Sequence, residues 1–123
     1  MTTKPSQNLS IFELVTLYEE AAKVYGEALE HGKSRIANKQ HTVIGALRKE
    51  FKRRGEEGRI AVVRMMSHEA KWVRLLAAGF VLRFDSQKAV PILQELALLS
   101  GNCGFTAEMI LELWREGRLP PEE

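Results

Sequence analysis

Trp72-Val73-Arg74-Leu75-Leu76-Ala77-Ala78-Gly79-Phe80-Val81-Leu82-Arg83 is the stretch that decides the fold. Apolar residues fill nearly every position and Arg74 is the main interruption. The stretch therefore shows neither the two-residue alternation of a half-buried strand nor the narrow stripe of a surface helix. A helix from His68 or Glu69 to Arg83 that is apolar on nearly every side must sit centrally, with other elements packed on several faces. The longest apolar runs are cut by Arg83 or Gln94, so none is predicted to cross a membrane.

The flanking sequence supplies the neighbours. Ser10 followed by Glu13 is a capping box. Ile11, Leu14, Val15, Tyr18, Ala21, Ala22, Tyr25, Ala28 and Leu29 then recur at helical spacing, which predicts a first helix to about Glu30, stopped by His31-Gly32. A second helix carries Ile36, Val43, Ile44, Leu47 and Phe51 on one stripe and ends with Lys52, Arg53 and Arg54 before Gly55, bases that suit the negative end of a helix dipole. Ile60, Val62, Val63, Met65 and Met66 predict a short third helix. Beyond the central helix, Asp85 is the expected N-cap of a fifth, with Pro91 near its first turn and Val90, Leu93, Leu96 and Ala97 as its core stripe. Ser100-Gly101-Asn102 is expected to end it. A sixth helix begins near Phe105 or Thr106, uses Met109, Ile110, Leu113 and Trp114, and closes at Gly117 ahead of Pro120-Pro121.

The expected fold class is thus all-α: about six helices in antiparallel hairpins, forming one domain over residues 10–118 between flexible segments at 1–9 and 119–123. With 123 residues, 45% of them hydrophobic and 28% charged, the chain suffices for one core without staples. The lone Cys103 allows no internal disulfide, and the polar start of the chain has no apolar leader run, so a cytoplasmic location is the expectation.

Charge is unevenly distributed. Five acids and one base lie between Glu13 and Glu30, whereas ten bases and three acids lie between Lys33 and Arg64. An acidic helix beside a basic one would complement it along a shared edge. Alternatively, Arg48, Lys49, Lys52, Arg53 and Arg54, continuing to Arg59 and Arg64, would line a ridge for nucleic-acid phosphates. Phe51, the one aromatic of that stretch, falls on the core stripe, which serves base stacking poorly.

No motif carries chemistry. His31, His41 and His68 have no second ligand one turn away, and His68-Glu69 lacks the second histidine of a zinc-protease helix. Cys103, read as lying in the turn before the last helix, has no base near it in sequence. Glu108 and Glu112 continue into the polar stripe of Arg115 and Glu116 and are read as solvent-facing. Gly55 to Gly58 is too short for a phosphate loop, and Met65-Met66 reads as core filling. The chain is expected to be no enzyme and to need neither metal nor cofactor.

Trp72-Val73-Arg74, Ala77-Ala78, Asp85 and Ala89-Val90-Pro91-Ile92-Leu93 together resemble one HEAT-type repeat, with His68 and Glu69 where such a repeat places an acid. Arg35-Ile36-Ala37-Asn38-Lys39, Gly104-Phe105-Thr106-Ala107, Leu113-Trp114-Arg115 and Gly117-Arg118-Leu119 extend the likeness to a small uncharacterised bacterial family of helical domains. The resemblance implies a HEAT- or armadillo-like α-α superhelix and, from fold alone, a macromolecular partner. The expected partner is an unidentified protein, met by Arg59, Arg64, Lys88 and Gln94 on a shallow surface and anchored by Trp72 and Trp114. Trp72→Ala is then expected to weaken binding more than it weakens the fold. Nucleic acid is the alternative partner, and an apolar end face of so short a stack leads to homodimerisation as a further expectation.

Overall fold

The computed structural model describes residues 8–120; residues 1–7 and 121–123, which hold most of the two ends expected to be flexible, lie outside the described residues. Six helices follow one another: α1 (Ile11–Glu30), α2 (Ser34–Arg53), α3 (Glu56–Met65), α4 (Lys71–Val81), α5 (Ser86–Ala97) and α6 (Gly101–Arg115). Turns of two to five residues join them, and each packs on the next. The fold is all-α, and no strand occurs among the described residues.

Helix α1 starts where its cap dictates. Ser10 Oγ accepts from the Glu13 backbone N–H at 3.0 Å, and Glu13 Oε1 accepts from the Ser10 N–H at 2.8 Å, so two otherwise orphaned donors are satisfied. It ends at Gly32, whose φ of 68° lets the chain reverse while Lys33 N–H donates to the Ala28 carbonyl at 2.8 Å. One face of α1, with Leu14, Tyr18, Ala21 and Ala22, is fully buried against α2 and α4.

Helix α4 is the hub, touching α1, α3, α5 and α6. Trp72, Val73, Leu75 and every residue from Ala77 to Val81 are buried, which is why the segment needs apolar side chains on nearly every side. It is shorter than the sequence suggests. His68 and Glu69 stay outside it, and the Arg74 guanidinium donates to their backbone carbonyls at 3.0 and 2.9 Å. His68 Nδ1 in turn accepts from the Ala70 N–H at 2.9 Å.

Other sequence expectations need correction. Of the stripe expected on α2, Ile44, Leu47 and Phe51 are buried, whereas Ile36 and Val43 are exposed and Ala37 packs in place of Ile36. Pro91 lies at the sixth residue of α5, inside the helix rather than in its first turn; it is exposed, as is Gln87, whose carbonyl loses its intrahelical donor. Helix α6 begins at Gly101 instead of Phe105, so Cys103 lies in its first turn and is completely buried. Burial also pushes the Cys103 thiol pKa up, which keeps it protonated and unreactive. Leu9 and Leu119, assigned from the sequence to flexible ends, both pack against the core.

Candidate interaction cleft

The end of α2, the start of α3, the end of α4 and the turn after α6 surround an open cleft of about 660 Å³. Phe80 at the end of α4 and Phe84 in the following turn stand edge to face, 5.9 Å between centroids. Arg59 of α3 lies over the Phe84 ring, 5.4 Å from its centre. Lys52 and Arg83 add two further cations, and Trp114, 37% exposed, presents its ring from α6. No carboxylate of the described residues lines the cleft. Gly117 turns the chain out of α6 so that Leu119 and Pro120 run along one end. There Arg83 Nε donates to the Pro120 carbonyl at 3.0 Å while another Arg83 nitrogen holds the Gly79 carbonyl at 2.6 Å.

Arg59 and Phe84 are shared with a second groove of about 420 Å³ between α3 and α5, which Arg64 and Lys88 also line. The structure thus gathers Arg59, Arg64, Lys88 and Trp114 onto one continuous surface. This groove contains acids as well, Glu56 and Asp85, and Lys88 Nζ stands 3.6 Å from Asp85 Oδ2.

Two of the expected interface residues do not join this surface. Gln94 is exposed but lines neither the cleft nor the groove. Trp72 is a core residue, 6% exposed, standing T-shaped against Tyr25 at 6.1 Å and donating its Nε1–H to Glu30 Oε2 at 3.0 Å. That hydrogen bond, with a second from Lys71, lowers the Glu30 pKa. Trp72 therefore cannot act as a surface anchor: its loss would open the α1–α4 seam before it touched any partner.

The basic ridge is also depleted. Arg48 turns inward, donating Nε to Tyr18 Oη at 2.9 Å and Nη2 to the Leu76 carbonyl at 2.7 Å, with its guanidinium 5.3 Å from the Phe80 ring centre. Glu50, 6% exposed, binds Arg53 at 2.6 Å and Arg54 at 2.7 Å. The Arg53 hydrogen bond, followed by that of Arg54, holds the Glu50 carboxyl down at about 2. Arg54 also donates to the Leu9 carbonyl at 2.6 Å. Of the five residues Arg48, Lys49, Lys52, Arg53 and Arg54, only Lys49 and Lys52 are left outside these internal arrangements.

Sequence reasoning passed over Phe80, Arg83 and Phe84 as site residues. The available signal was an aromatic pair at i and i+4 running past the end of the central helix with an arginine between its members, a pattern that core packing alone does not require.

These features define, among the described residues, a six-helix, all-α domain with a basic, aromatic-lined cleft whose wall they leave without a carboxylate. The chain belongs to a family described as a domain of unknown function, DUF2019, whose profile matches residues 12–114. Its fold is similar to that of the protein RPA1889 from Rhodopseudomonas palustris CGA009, known from a crystal structure, with a TM-score of 0.85 and 22% sequence identity over 97% of this chain and 99% of that one. No curated protein matches the chain. No helix among the described residues is long and apolar enough to cross a membrane.

Proposed function

We propose that the protein is a non-catalytic, cytoplasmic interaction module, a short HEAT-like stack of helical hairpins that binds a protein partner through the cleft and its adjoining groove. The observation that carries this reading is the convergence of Lys52, Arg59, Arg83, Phe84 and Trp114 from four parts of the chain on one open surface in whose wall the described residues place no carboxylate. Exposed arginine and tryptophan beside a buried aromatic floor are the residue types that dominate interface energetics. The nucleic-acid alternative is weaker, because Arg48, Arg53 and Arg54 are engaged within the fold. Affinity capture from the cells that make the protein tests the proposal: Arg59→Glu with Trp114→Ala should lose the partner held by the natural chain while the melting temperature stays within a few degrees. Equal capture by both would refute the cleft as the binding face.

Homodimerisation is a second reading, favoured by a different surface. Phe105, 66% exposed, and Met109 stand one turn apart on the outer face of α6. Light scattering should then give twice the chain mass, and Phe105→Glu should return it to one.

A further inference from the structure

We infer, on the reading that the cleft is a partner site, that its ligand is an extended acidic peptide segment carrying an apolar side chain beside its carboxylates. Charge complementarity is the first argument. Lys52, Arg59 and Arg83 enter the cleft together, and none of the described residues places a carboxylate in its wall. Neither Lys52 nor Arg59 forms an ion pair with a described residue, and the Arg59 guanidinium, 5.4 Å over the Phe84 ring centre, is positioned in the cleft with its charge available to a carboxylate.

The second argument is the chain's own backbone. The segment from Arg118 to Pro120 is non-helical, it occupies one end of the cleft, and Arg83 already donates to the Pro120 carbonyl at 3.0 Å. Leu119 packs on the core beside it. The cleft thus accepts extended backbone and an aliphatic side chain where Arg83 lies, and offers Arg59 and Lys52 farther along. A single strand of nucleic acid fits less well. Successive bases need stacking platforms, whereas Phe51 and Phe80 are almost wholly buried, Phe84 is covered by Arg59, and only Trp114 presents a ring.

The test is fluorescence anisotropy with a labelled peptide of about twelve residues in which a leucine is flanked by glutamates, run beside its glutamine and serine-for-leucine counterparts and a single-stranded RNA of about the same length. Binding in the range of about 1–100 µM is expected, weakened roughly tenfold or more by the glutamine peptide, by the serine peptide and by added salt. Arg59→Glu and Lys52→Glu should each weaken it about tenfold. Lys39→Glu makes the same charge change roughly 20 Å away along α2 and should leave binding intact. Equal affinity for the glutamine peptide, no binding at about 1 mM, or tighter Arg59-dependent binding of the RNA would overturn the inference. If Arg59→Glu with Trp114→Ala still abolishes capture of the cellular partner in any of those cases, the cleft stands and only the assigned chemistry falls; loss of both refutes the site itself.

Discussion

Gly26→Ala tests the packing of Trp72 more sharply than removing the tryptophan does. A Cβ on residue 26 would lie 2.1, 2.3 and 2.4 Å from the Cγ, Cδ2 and Cδ1 atoms of the Trp72 ring, so the ring would have to retreat by more than about 1 Å to restore ordinary contact. It has nowhere to go, since Tyr25 stands against it and Glu30 holds its Nε1–H. An alanine inside a helix ordinarily gains about 0.5–1 kcal/mol over glycine. Overpacking costs about 1–3 kcal/mol, and losing a buried tryptophan about 3–5. A net destabilisation of about 2–4 kcal/mol follows, which for a chain of this length lowers the melting temperature by about 8–16 °C. Gly45→Ala is the internal control, because a Cβ there meets nothing within 4 Å and should gain about 0.5–1 kcal/mol. Thermal melts followed by circular dichroism decide the matter. A Gly26→Ala chain that melts at or above the natural one would refute the position assigned to Trp72.

Further consequences follow from the polar contacts. Glu50 has its carboxyl held at about 2 against an ordinary 4.5, so its contribution is present above about pH 4.5 and disappears as pH falls through 2. That interval corresponds to about 3 kcal/mol, and screening at the 57% exposed Arg53 reduces the expected cost of Glu50→Gln at pH 7 to about 1–2 kcal/mol. Urea titrations of both chains should show this gap at pH 7 and its closure near pH 2. Arg48→Lys should destabilise by about 1–2 kcal/mol despite keeping the charge, because a lysine cannot reach Tyr18 Oη and the Leu76 carbonyl with one planar fork. A urea midpoint shift measures it, and an unchanged midpoint would contradict the inward placement. Trp72→Ala should fall in the range of about 3–5 kcal/mol, visible as early unfolding rather than as selective loss of a partner.

The helices were legible because local chemistry marks them. The Ser10–Glu13 capping box, the stop at Gly32 and the all-round apolarity of Trp72–Leu82 depend on neighbours within a few residues. The start of α6 was not, for a local reason that runs the other way: Gly101, with φ of 82°, opens the helix after the bend from α5, although glycine after an apolar run reads as a stop. Side-chain destinations depended on distant partners. Trp72 reads as an anchor until Gly26 and Glu30 of α1 are placed opposite it. Arg48 and Arg54 read as ridge residues until the carbonyls of Leu76 and Leu9 come within 2.7 and 2.6 Å. Arg59, Arg64 and Lys88 were legible as a group, since they lie on the outer sides of α3 and α5. The cleft was not, because it is assembled from α2, α3, α4 and the turn after α6.

The most direct measurement is photo-crosslinking in cells with a benzophenone amino acid in place of Trp114, compared with the same group in place of Phe12, which is exposed on α1 and is not part of the cleft. The cleft account predicts one discrete protein adduct from position 114, none from position 12, and its disappearance when Arg59→Glu is added. An adduct that forms equally from position 12, or one from position 114 that survives Arg59→Glu, would contradict the assignment of this cleft as the partner-binding face.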